Sequence, residues 1–444
     1  MGVLLIFTTL FLMLLRKDKI AFYIIVLTLL SIPANSYFLN ELKFLIYRID
    51  LRVVSLLILV IYISIKNIKS IKFVNYDYAI FILFFLFLFS FAYGYYIGNP
   101  YLLSDAEVLI HFFLIYVASR YYLKNLREYL TLIQLSSTIY VIWLIVVDIF
   151  YESKLIEIYG EQLFNWWGDR IAFSNTSMLL ITIVISIYFI VIKKHLFWNI
   201  VMVTLGIYGV SLSQNRTMIS LILMNTIVTI IAYTLLNKEN SRKKMLLKST
   251  IDTLLLLLSG LSIYIMFFRF RDSILLNRIL NRFGESWANY DARNLSNIIA
   301  LREYFTNLKS FGLGKELYLF DPQGRIVSVG PFLDNVFVTL LIKLGLVFLI
   351  FFILLLLLPI KYLINFTKSF NNRYLLLIVL LSLYLSFIIM TAYMNAQIVF
   401  SIPISTIYIL SICLVINKNI DIVAEEKNKN PKLRIRMHDC ACSK

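Results

Sequence analysis

Residues 345–363 read GLVFLIFFILLLLLPIKYL, with a single charge, Lys361, near the end. Wound as a helix at about 1.5 Å per residue, such a run covers the roughly 30 Å hydrocarbon core of a bilayer. Working outward from it, comparable runs lie at 1–15 (short), 20–38, 51–65, 77–97, 107–123, 129–150 and 171–192. They continue at 196–212, 217–236, 249–268, 374–394 and 398–416. The spacing predicts about 12 or 13 crossings, the short first run being the open one.

Composition excludes a soluble class. Hydrophobic residues make up 60% of the 444 and charged residues only 15%, too few to cover a water-facing surface of that size. The expectation is an integral, all-α, polytopic membrane protein. Its net charge of +17 does not point to nucleic acid, because the basic residues sit in short clusters between apolar runs. The first run lacks a basic leader and a small-residue cleavage pattern, so it reads as a span. Cys413, Cys440 and Cys442 are too few for a disulfide framework. His438 with Cys440 and Cys442 is a poorly spaced metal set, and no metal is expected.

The loops sort by charge. One set carries Arg16, Lys17 and Lys19, then Lys66, Lys69 and Lys72, then Arg120, Lys124 and Arg127. It continues through Lys193 and Lys194, the cluster at 238–248, Lys361, Lys368, Arg373 and the tail. The alternate set, 98–106, 151–170, 213–216 and 391–397, is nearly free of positive charge. Positive-inside bias places the first set and the C-terminus in the cytoplasm. The chain then divides into spans 1–268, an outer loop 269–335, spans 336–416 and a cytoplasmic tail 417–444. Intramembrane acidic pairs look scarce, and Asp148 and Asp252 read as interfacial.

The outer loop is polar and helix-patterned. At 273–283, Leu275, Leu276, Ile279, Leu280 and Phe283 form one apolar face, predicting a helix in the headgroup plane with Arg278 and Arg282 solvated. A second helix is expected over 293–309, with Asp291 as N-cap and Arg293 in the first turn, where free N–H groups favour an anion. Phe311-Gly312-Leu313-Gly314 then reads as a stop and a flexible connector. Asp334-Asn335 falls at the outer mouth of the membrane, and the Asp334 carboxylate is either a helix cap or a catalytic group. Two further outer turns carry arginines: Arg216 after Asn215, and Arg170 beside two tryptophans. Long loops escape the charge rule, so arginines on that side need another reason, and binding an anion supplies one.

These pieces in this order resemble the O-antigen and capsular polysaccharide polymerase family and its relative, the O-antigen ligase. The likeness rests on Ser213-Gln-Asn-Arg216-Thr217, on Arg293 ahead of Gly312-Leu-Gly314, and on Asp334-Asn335 ahead of Gly345. The resemblance implies a GT-C-like glycosyltransferase of a bacterial cytoplasmic membrane that uses neither cofactor nor metal. Its substrate would be an undecaprenyl-diphosphate-linked oligosaccharide in the membrane lipid. A flippase and a chain-length regulator are the implied partners. Arg216, Arg293 and Arg170 would hold the diphosphate, Asp334 would be the base, and Asn335, Asn215, Gly312 and Gly314 would support them. Ligase-like members carry His where this chain has Asp334, which favours the polymerase. The alternatives are the ligase and, from another class, a flippase for lipid-linked oligosaccharides. A flippase is expected to keep charged residues inside its bundle and to lack a large outer loop.

Overall fold

The structure is a computed structural model that describes residues 2–31, 50–67, 72–149, 177–213, 216–236, 286–307, 312–321, 323–330, 333, 335–393 and 402–429. The described chain is mostly helical. Its helices are α1 (Gly2–Leu14), α2 (Asp18–Ser31), α3 (Leu51–Asn67), α4 (Asn75–Ile97), α5 (Leu102–Tyr122) and α6 (Leu126–Ile149). Next come α7 (Ser177–Val191), α8 (Leu196–Ser213), α9 (Arg216–Leu236) and α10 (Ser286–Thr306). A hairpin of β1 (Leu317–Phe320) and β2 (Ile326–Gly330) precedes α11 (Val336–Thr367), α12 (Arg373–Tyr393) and α13 (Ile402–Lys429).

Six helices are long and apolar enough to cross a membrane: α4, α5, most of α9, α11, most of α12 and the first three-quarters of α13. Helix is the fold such sequences must take, because a backbone in lipid has to satisfy its N–H and C=O groups within itself. Apolar stripes turned outward mark the lipid face. On α4 these are Phe81, Phe85 and Phe89, and on α9 Leu223, Ile227, Ile231 and Leu235, all exposed at four-residue spacing. The chain is therefore an all-α, multi-pass membrane protein. In α13 83% of the spanning window is buried and in α5 67%, against 22% in α9, so α5 and α13 form the centre of the bundle. Of the expected crossings, 249–268 lies outside the described residues, as does the amphipathic stretch 273–283.

Basic loops far apart in sequence gather at one end of the bundle. Tyr122 donates to Asp18 at 2.8 Å, Lys66 lies 3.9 Å from Asp18, and Lys19 reaches Glu128 at 2.8 Å. Arg120 grips Asp77 from Nε at 3.0 Å and donates to the Lys72 carbonyl at 2.8 Å. Arg120 also donates to Asn417, so α13 is tied to the same end.

Three expectations need correction. The outer segment is not helical throughout, because 317–330 pairs as an antiparallel hairpin from Leu317↔Gly330 to Phe320↔Ile326. Tyr318, Phe320, Ile326, Val327 and Val329, with the Asp321–Gly324 turn between them, favour strands over helix. α10 starts at Ser286, so Asp291 and Arg293 lie inside the helix and not at its cap and first turn. α5 starts at Leu102, so Asp105 belongs to a membrane helix and not to a loop.

Candidate functional site

Helix α11 is broken. Gly345 has φ 84° and ψ 169°, a conformation that only glycine adopts cheaply, and the break leaves a short half helix, 336–344, ahead of the long span. A helix interrupted in this way orphans the carbonyls of its last turn. Here they find partners: Gly312 N–H donates to the Ile342 carbonyl at 3.0 Å, and the Ser90 hydroxyl donates to the Lys343 carbonyl.

The same turn is bolted to α4 and α5. Asn99 Nδ2 donates to the Leu313 carbonyl at 2.8 Å, and Tyr101 N–H donates to the Gly314 carbonyl at 3.0 Å. Gly312 (φ 117°) and Gly314 (φ 81°) both occupy the left-handed region. A Cβ on Gly314 would collide with the Leu102 backbone, and one on Gly94 with the Leu313 carbonyl oxygen. The expected flexible connector is thus a fixed clamp, with Leu313 fully buried.

At the centre of the clamp Lys343, fully buried, pairs with Asp105, 2% exposed. Asp105 Oδ2 also accepts from the Gly314 N–H at 2.9 Å. One carboxylate therefore ties α5 to the half helix and to the Gly-Leu-Gly turn. A second polar cluster lies on another face of α5. Arg52, 1% exposed, forks onto Asp50 with Nε at 2.8 and 3.0 Å from the two carboxylate oxygens, and Asp50 N–H donates to Glu107. Four residues on from Glu107, His111 Nε2 meets Thr406 Oγ1 of α13 at 2.9 Å. Burial alone would raise the Asp50 carboxyl, but the Arg52 guanidinium and its hydrogen bonds outweigh burial and hold it below its usual range.

Above the clamp, α10 and the hairpin share a small core of Ala300, Leu317, Leu333, Val338 and Ile342. Ser296 Oγ accepts from Phe320 N–H at 3.0 Å, and Lys315 reaches Glu303 at 3.2 Å. Asn335 is the N-cap of α11, its Oδ1 accepting from Phe337 N–H at 2.9 Å and Val338 N–H at 3.3 Å.

Of the residues expected at the site, Gly312, Gly314 and Asn335 come together around the half helix. The backbone of Arg216 opens α9 and that of Arg293 is well inside α10, while both side chains lie outside the described residues. Asp334, Arg170 and Asn215 also lie outside them, as do Cys440 and Cys442. Sequence patterning does not single out Asp105, Lys343, Asp50, Arg52, Glu107, His111 or the Asp77–Arg120 pair. To the carboxylates Asp148 and Asp252 the structure adds Asp105, Asp50 and Asp77, each paired with a cation. One signal for them exists: Lys343 stands inside an apolar run two residues before a glycine, where a charge needs a partner.

No family model matches the chain, and neither a curated protein nor a solved structure matches it.

Proposed function

We propose that the protein is a polysaccharide polymerase, transferring a glycan from undecaprenyl diphosphate to a sugar hydroxyl of another lipid-linked repeat unit at the outer face of a bacterial cytoplasmic membrane. One observation carries the reading. Two parts of the family pattern, the Gly312–Gly314 turn and Asn335, are joined through one half helix that a buried ion pair anchors to α5. Gly312 contacts α11 at Ile342, about 10 Å along the axis from Asn335. Rigid elements held in this way suit a site that must orient two large substrates.

In this reading the acceptor oxygen bonds to the anomeric carbon as the bond from that carbon to the diphosphate oxygen breaks. Asp334 takes the hydroxyl proton. Arg216, Arg293 and Arg170 neutralise the departing undecaprenyl diphosphate, and losing one such cation typically costs about 10²–10³ in rate. The ligase differs mainly in acceptor. A flippase is the second reading, favoured by the charges buried on α5 and its neighbours.

The test is extension of purified lipid-linked repeat units by the protein in proteoliposomes. Polymer from the wild-type chain, with loss in Arg216→Ala and Arg293→Ala at matched protein level and a milder effect in Arg278→Ala, supports the polymerase. Translocation of the lipid-linked unit without extension supports the flippase, and transfer only to a lipid A core acceptor supports the ligase.

A further inference from the structure

Between α6, α7 and α8 on one side and α11, α12 and α13 on the other lies a cavity of about 870 Å³, within the range of ligand pockets. It opens at the basic end, away from the Gly312–Gly314 clamp. Its walls are apolar, among them Ile185, Phe189, Leu363, Phe366 and Leu380. Its mouth carries the cations Arg127 and Lys194, with His195 and the half-exposed Trp198 beside them. The Lys194 ammonium sits 5.6 Å from the centroid of the Phe189 ring, at the edge of the apolar wall, and neither Lys194 nor Arg127 makes an ion pair among the described residues.

The turn that carries Lys194 is strained and held. Lys193 (φ 60°) and His195 (φ 48°) are non-glycine residues in the left-handed region, a conformation that persists only where surroundings enforce it. Asn199, 2% exposed, enforces it by donating from Nδ2 to the Lys194 carbonyl at 2.9 Å and the His195 carbonyl at 3.0 Å. Asn199 also lines the cavity, and its Oδ1 is buried without a hydrogen-bond partner. Other lining hydroxyls are paired within the protein: Tyr129 meets Ser411 at 2.7 Å, and Tyr384 donates to the Leu356 carbonyl.

We propose that this cavity is a binding site for an anionic phospholipid of the adjoining leaflet. Its acyl chains lie along the apolar walls, and its phosphate faces Lys194, Arg127 and His195. Charge at the mouth of an apolar body fits an anionic phospholipid such as phosphatidylglycerol, whereas a soluble phosphate would leave the apolar walls uncovered. The site is independent of the polymerase reading and lies at the opposite end of the bundle from the Gly312–Gly314 turn and Asn335.

The experiment is retention of phosphatidylglycerol against phosphatidylcholine by the purified full-length protein in detergent, read by native mass spectrometry. Phosphatidylglycerol should be retained preferentially. The exposed double variant Arg127→Glu, Lys194→Glu should lose that preference by on the order of tenfold. Leu380→Trp, which fills the cavity, should reduce retention of both lipids, while Lys361→Glu, outside the lining, should change nothing. Equal retention of the two lipids by the wild type, an unchanged preference in the double variant, or displacement of the lipid by excess inorganic phosphate would each overturn the proposal. Thermal unfolding of each variant separates loss of a site from loss of fold.

Discussion

Lys343, two residues before the break in α11, forms an ion pair with Asp105 of α5 that solvent does not reach, and the same Asp105 oxygen accepts the Gly314 amide. Through that carboxylate α5 is fixed to two segments that each lie more than 200 residues further along the chain.

This geometry predicts an asymmetry between single and double substitutions. Removing one member leaves an uncompensated buried charge, at a cost of about 3–5 kcal/mol, whereas removing both costs far less. Lys343→Met and Asp105→Asn should each lower the thermal unfolding midpoint in detergent sharply, and the double variant should recover most of the loss. Additive losses in the double variant would show that the two residues are not coupled.

A second prediction concerns the glycine turn. Gly314→Ala places a methyl group against the Leu102 backbone, so the clamp has to open. Gly98→Ala shares the positive φ but meets nothing within 4 Å, and should cost only the roughly 1–2 kcal/mol of left-handed backbone. Limited proteolysis of the hairpin should therefore accelerate markedly in Gly314→Ala and little in Gly98→Ala.

Because Asn335 is the cap of α11, stability and chemistry can be separated at adjacent positions. Asn335→Asp should be nearly neutral in stability and Asn335→Ala should cost about 1 kcal/mol. Under the polymerase reading, Asp334→Asn should leave the unfolding midpoint unchanged yet let single repeat units accumulate, because it removes basicity and keeps shape. Wild-type polymer from purified Asp334→Asn protein would leave the base to be sought elsewhere.

The orientation can be read by thiol labelling. In a background lacking Cys440 and Cys442, with Cys413 fully buried, Arg325→Cys in the exposed hairpin turn should react with an impermeant reagent added to intact cells. Lys368→Cys, at the other end of the bundle, should react only after the membrane is opened. The reverse pattern would invert the topology and remove the outer-face reaction with it.

Local features of the fold are legible in the amino-acid sequence. Some apolar helices match their hydropathic runs closely, as at 196–212 for α8 and 374–394 for α12, while α11 begins nine residues ahead of its run. Gly312, Gly314 and Asn335 stand out as special positions, since a positive-φ turn and a capping amide leave local marks. The role of the two glycines does not show in the same way. Spacing alone distinguishes a hinge from a clamp poorly, because the difference lies in what the backbone touches. The hairpin at 317–330 escapes the pattern because short strands on a polar segment carry a weak alternation signal.

What the sequence determined by itself is the class: apolar runs of bilayer length, with basic residues clustered mainly in alternate loops, permit only a multi-pass helical membrane protein, because burial in lipid is a property of each segment taken alone. What only the tertiary structure decided is the pairing of charges inside it. Asp105 reads as a loop residue and Lys343 as an anomaly until α5 and α11 are packed together. Their 238 residues of separation carry no local signal, and a buried charge acquires its meaning from the opposite charge brought to it by the fold.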